Sequence, residues 1–235
     1  MPMNRNYEKM KKVQHKIEEL VNTYASDLGI NITSPKAVNK NPFEFRDIIE
    51  QVLKKNKDLL ELEEENPSLY GQIINRVAAA EYQDIIALYF KGEIIIPESN
   101  NSSVDDRILA HELFHAYQDQ KFDILAYETP WKGELTQRDI VRHLVCEGSA
   151  EYMARTILGE SLIGLSEITS EISLDRQPEN AQELIKILAE TDCNLILQKG
   201  STIGCYLVNE LTAQKTIDEI NGNPPNSFKE LLPYS

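Results

Sequence analysis

The sequence predicts an α+β fold, and three observations carry that prediction. Apolar residues recur at helical spacing through the first eighty positions. Two β-branched and aromatic runs then flank a Lys-Gly pair, and helical patterns return after them and persist to the C-terminus. The expected architecture is a small mixed sheet and one helix with a charged motif, followed by a mainly helical C-terminal half. Residues 1–235 are expected to form a single domain, in which 1–65 are a helical N-terminal extension or subdomain.

The elements follow in order. Residues 4–28 read as an amphipathic helix with Val13, Ile17, Leu20, Val21 and Tyr24 on one face, and Gly29 is the expected stop. Pro35 to Asn41 read as a loop. A second helix is expected from Pro42 to about Asn56, carrying Phe45, Ile48, Ile49, Val52 and Leu53, and "ELEEEN" reads as a solvated acidic face. Asn66-Pro67 predicts a capped helix through about Ala80, with proline at its first position. "DIIALYF" and "EIIIP" around "KG" predict a hairpin or two adjacent strands. "SNNSSVDD" then offers Ser and Asn caps and early acids for a helix from about Val104 to Gln120. A loop through Pro130, Trp131, Lys132 and Gly133 leads to a helix from about Leu135 to Leu158, and further helices fill the remainder.

Composition narrows the function classes. The 235 residues carry 38 acidic and 24 basic side chains, a formal net charge of −14, with no Lys/Arg-rich patch. That argues against nucleic acid or anionic lipid as a partner. No 18-residue apolar run predicts a membrane span, and the charged N-terminal stretch does not read as a signal peptide. Cys146, Cys193 and Cys205 have no CxxC spacing and read as reduced core thiols, so a cytoplasmic protein is expected.

The chemistry is concentrated in "ILAHELFHAYQDQ", residues 108–120. On a helix His111 and His115 lie one turn apart and can reach one ion, while Glu112 projects beside them towards a water. Leu109, Leu113, Ala116 and Tyr117 are expected on the opposite face, leaving the imidazoles on a face of their own. Two neutral imidazoles and a carboxylate suit one Zn2+ ion with a fourth position open, the arrangement of a catalytic site. Such an ion lowers the pKa of bound water to about 7, and Glu112 would serve as general base. Gln118 and Lys121 stand where a downstream Gly and third His would be needed, which excludes that ligand pattern. His143, Glu147 and Glu151, spaced by four, are the remaining candidates for the third ligand.

Here the chain resembles a known group. His-Glu-x-x-His followed by "CEGSAEY" (146–152) is similar to the gluzincin metallopeptidases, in which the glutamate of EGxA is the third zinc ligand. "HELFHAYQDQKFD" more specifically resembles a family of zincin-fold proteins with HELxHAxQDQxFD, a preceding strand, an EGxA segment and a late PPxSxxxxL segment. "IALYFKGEIIIP", "EGSA" and "PPNSFKELLP" occur here in that order, so the resemblance covers roughly 80–235. It implies a zincin-like domain, a peptide or protein substrate, and Glu147 as third ligand. Glu151 and Asp119 are then candidates to orient a ligand histidine. Gly148 is expected to let the metal-bearing helix approach, and "GEIIIP" to offer the strand edge along which an extended peptide pairs. One departure stands out. Related aminopeptidases have an oxyanion-stabilising Tyr before a Lys-Gly pair, whereas this chain has Leu197. Tyr206 is the candidate substitute, although a helix tyrosine is more often core. His143 reads as an unrelated polar residue and Cys146 as a core-facing thiol. The alternative to a hydrolase is a catalytically weak or inactive zincin-fold protein that binds a partner.

Overall fold

The computed structural model describes residues 3–53, 57–98, 104–124, 136–172 and 178–231. Trp131 and its loop lie outside them. The fold is α+β, with many helices and one three-stranded mixed sheet among the described residues. The chain divides into two compact units; among the described residues the first ends at Gln120 and the second begins at Lys121.

The first unit opens with α1 (Met3–Leu28), which ends where Gly29 takes a left-handed φ of 67°. Its buried face holds Val13, Ile17, Leu20 and Tyr24, the spacing the sequence shows. The next segment corrects the expected loop at 35–41. Lys36–Lys40 is a strand, β1, with a burial pattern too polar to announce itself. Pairing makes it a strand: β1 runs parallel to β3 with Val38 opposite Ile95. On its other side Gln14 of α1 brackets the backbone. Its Oε1 accepts from the Ala37 N–H at 2.8 Å, and its Nε2 donates to the Pro35 carbonyl at 3.3 Å. A side-chain amide thus occupies the edge of the sheet where another strand could pair.

Two helices, α2 (Pro42–Leu53) and α3 (Lys57–Glu65), follow, so the acidic run is helical. Asn66 caps α4 (Pro67–Asp84) by accepting from the Leu69 N–H. This helix extends one turn beyond the expected end because Tyr82 is buried edge-on against Phe45, with ring centroids 5.5 Å apart. The strand pattern of "DIIALYF" therefore begins only at β2 (Leu88–Phe90), which pairs antiparallel with β3 (Glu93–Pro97). Lys91 and Gly92, both at positive φ, close the hairpin, with glycine taking the larger angle at no steric cost.

Sheet order is β1-β3-β2. β3 is central, with β1 along one side and β2 along the other over Glu93–Ile95, so the edge on which a peptide was expected to add is already taken at those three residues. Ile94, Ile95 and Ile96 are fully buried, as a central strand requires.

α5 (Asp106–Phe122) begins at Asp105, whose carboxylate accepts from the Ile108 N–H at 2.8 Å; an acid, not a Ser or Asn, caps it. Within the first unit α5 is pinned from α1 onward. Lys16 pairs with Asp106, and the buried Tyr24 hydroxyl donates to the Ala110 carbonyl at 3.0 Å. The Gln120 amide exchanges two hydrogen bonds with the Thr33 backbone, at 2.7 and 2.9 Å. The N-terminal segment, which has no counterpart in the family resemblance, thus braces the motif helix.

The second unit is helical. α6 (Gln137–Leu158) starts at a Thr136–Asp139 capping box and ends at Gly159 in the left-handed region. It is followed by α7 (Leu165–Ile172), α8 (Ala181–Glu190), α9 (Cys193–Gln198), α10 (Gly200–Thr212), α11 (Ile217–Gly222) and a 3-10 turn at Phe228–Leu231. Its apolar core includes Val141, Leu144, Leu184, Ile203, Leu207 and Val208. α6 and α10 touch backbone to backbone where Gly148 meets Gly204. The small residue at 148 thus admits α10, which corrects the expectation that it admits the motif helix. No helix among the described residues is long and apolar enough to cross a membrane.

Two glycine substitutions should have opposite effects. A Cβ on Gly204 would fall on the Leu144 carbonyl and the Gly148 backbone, whereas one on Gly71 in α4 meets nothing. Gly204→Ala is expected to destabilise by about 1–3 kcal/mol and Gly71→Ala to stabilise by about 0.5–1 kcal/mol, read from denaturant midpoints.

Candidate metal centre and its supports

His111 and His115 stand one turn apart on α5, with ring planes 79° apart and centroids separated by 4.7 Å. Their Nε2 atoms face each other at 3.0 Å. Two nitrogens on a tetrahedral zinc, each about 2.0–2.1 Å from it, are roughly 3.3 Å apart. The imidazoles are therefore already turned towards one point at nearly the spacing an ion demands.

The imidazole face that the spacing predicts is itself largely buried. His115 is 3% exposed, Glu112 8% and Gln118 0%, alongside the buried Leu109, Leu113, Phe114 and Ala116. Burial of polar groups on such a helix requires partners, and these are supplied. Gln118 Oε1 stands 2.8 Å from His115 Nδ1. With Nδ1–H donating to that oxygen, the Nε2 lone pair is directed towards His111. Gln118 thus orients the ring, in the role the sequence offered to Asp119 or Glu151. Its signal was present, since residues three apart share a helical face and Gln118 opens the QDQ extension.

Glu112 is held from β2. Its Oε2 accepts from the Tyr89 backbone N–H at 2.6 Å. The Tyr89 phenol donates to Asp119 at 2.6 Å, and the phenol oxygen accepts from the Gly92 N–H at 3.0 Å. Burial first, then the bond to Asp119, push the Tyr89 phenol well above its ordinary value, so it remains a donor. Nothing in the sequence singled out Tyr89.

In the second unit α6 carries the other predicted residues. Glu147 is half-buried, and its Oε2 accepts from the Ser201 hydroxyl of α10 at 3.3 Å, a support not read from the sequence. Glu151 pairs with Arg155 one turn on, at 2.7 Å, and both are largely shielded from solvent. Burial works against the arginine's charge, but the Glu151 bond and charge outweigh it and raise the Arg155 pKa. Arg155 also donates to the Ser161 carbonyl. His143 is engaged through Nε2 with the Leu197 carbonyl at 3.2 Å. Cys146 is buried, as expected of a core thiol. Cys205 is buried too, and burial lifts its pKa to about 11. Tyr206 lies in the apolar core of this unit, and burial, then Glu210, raise its pKa.

The tautomer of His115 can be read without metal. Nitrogen shifts in histidine-labelled, metal-free protein at pH 8 should show Nδ1–H at this ring. Gln118→Leu should convert it to a mixture of tautomers, and an unchanged spectrum would remove Gln118 from the orienting role.

Compared with known proteins, the chain matches no family model, no curated protein and no solved structure.

Proposed function

We propose that the protein is a zinc-dependent hydrolase of peptide bonds, of the gluzincin type that the motifs resemble. The observation that carries the reading is the pair of imidazoles converging on one point beside a buried, backbone-anchored Glu112. His111 and His115 offer two imidazole nitrogens, and Glu147, the glutamate of the EGSA segment, is our choice of third ligand through a carboxylate oxygen. That donor set fits zinc, with one position left for a reactant. Bound zinc supplies Lewis acidity, polarising a carbonyl and acidifying water. His111 and His115 bind through Nε2, and Gln118 keeps the second ring in the ligating tautomer. Glu112, with Oε2 held by Tyr89, takes a proton from water at Oε1 and delivers it to the departing amine. The substrate is a peptide or protein. Three free cysteines accord with a reducing compartment, and we assign the protein to the cytoplasm.

A second reading has its own support. Leu197 offers no hydroxyl and Tyr206 belongs to the core, so neither is an evident oxyanion donor. In that reading the same residues hold a metal in a protein that binds a partner without turnover.

Chelator-sensitive cleavage of labelled casein by the zinc-loaded protein separates the two. Glu112→Gln should keep about one zinc per chain and lose about 10²–10⁴-fold in kcat, the usual contribution of a general base. Turnover within a few-fold of the parent would remove Glu112 from that role. Absence of cleavage by the zinc-loaded parent would favour the partner-binding reading.

The third ligand is tested by zinc titration. Glu147→Ala should abolish tight binding, whereas Glu151→Ala, which removes the partner of Arg155 and no ligand, should weaken it by no more than about tenfold. The opposite order would exchange their assignments.

A further inference from the structure

Tyr89 touches α5 at two places. Its backbone N–H holds Glu112 Oε2, and its phenol donates to Asp119 seven residues further along. Seven residues are two turns, about 10 Å of helix on one face. The phenol oxygen is in turn fixed by the Gly92 N–H in the hairpin turn, where Lys91 and Gly92 both adopt positive φ. A residue of β2 therefore grips the helix at both ends of a two-turn span, and its ring, 2% exposed, fills the space between. A tyrosine kept only for packing needs no such pairing of its hydroxyl, because phenylalanine would fill the same volume.

We propose that Tyr89 is a positioning residue for Glu112. Its phenol, anchored on Asp119, holds β2 in register with α5, so that the Tyr89 N–H fixes one carboxylate oxygen and leaves the other directed at the reactant. This rests on Glu112 being the base. The Asp119–Tyr89 bond acts on the reaction only through the strand, which separates it from a metal ligand and from a substrate contact. With the phenol released, β2 shifts against α5 and the carboxylate loses its single orientation, while the ring still fills the core.

The test uses the full chain, zinc-loaded, with zinc alone as the binding probe and labelled casein as substrate. Tyr89→Phe and Asp119→Ala are each expected to lower kcat by about 10–100-fold, the cost of a displacement within an ångström. KM and zinc affinity should stay within about twofold of the parent. The double variant should be no slower than the slower single, since both changes break the Tyr89–Asp119 bond. Multiplicative losses, or effects confined to KM or zinc affinity, overturn the proposal. A second readout is independent of turnover. In metal-free protein the residue 89 amide should exchange with solvent at least about tenfold faster in Tyr89→Phe, Asp119→Ala and Glu112→Ala than in the parent. Parent-like protection in Tyr89→Phe overturns the clamp. If the parent does not cleave casein, the hydrolase reading fails, and amide exchange alone decides whether Tyr89 holds Glu112.

Discussion

A helix buried along most of its length cannot carry His, Glu, His, Gln and Asp unless each finds a partner, because an unpaired polar group removed from water costs about 1–3 kcal/mol. That constraint on α5 organises the first unit. Glu112 takes a strand N–H, His115 a glutamine carbonyl and Asp119 a phenol, while a second phenol meets the helix's own Ala110 carbonyl. Each partner comes from a defined place: β2, α1 or the next turn of α5. The hairpin, its positive-φ turn and the N-terminal helix are thus parts of one solution to the problem of burying a charged motif. The bond from Gln118 leaves the His115 imidazole one direction in which to point, so the demand for satisfied polar groups also preorganises that ligand.

Much of the fold was legible because local rules and tertiary packing agreed. The face of α1, the Asn66-Pro67 start of α4, the Lys-Gly hairpin and the span of α6 follow from spacing and turn chemistry in the chain itself. Where reading failed, the cause was pairing at a distance. β1 has the composition of a loop and becomes a strand because β3 and Gln14 saturate its two sides. α4 outruns its expected end because Tyr82 finds Phe45, a contact with no local signature.

The candidate site divides in the same way. His111, Glu112 and His115 announce themselves through helical spacing, and the Nε2 atoms of the two histidines are brought within 3.0 Å. Their supports do not. Gln118 lies in view one turn from His115, but a carboxylate such as Asp119 is the more familiar partner for an imidazole. Tyr89 acts on Glu112 through a backbone group, and every residue but proline has one, so no residue type can flag it. Gly148 carried a correct signal for close approach with the wrong neighbour assigned, because small size reports that something comes near and not what.

The Gln14 bracket has a consequence for vectorial synthesis. β1 leaves the ribosome 57 residues ahead of β3, its strand partner (Lys36 to Glu93), which is several seconds at roughly 5–20 residues per second. Left to itself in that interval, a nascent strand would present unpaired amides on both flanks and could recruit any extended chain nearby. α1 precedes it, and its glutamine can close the Pro35–Ala37 flank as soon as the two segments meet. The opposite flank alone remains for β3, so the order of emergence also selects the side on which the sheet grows.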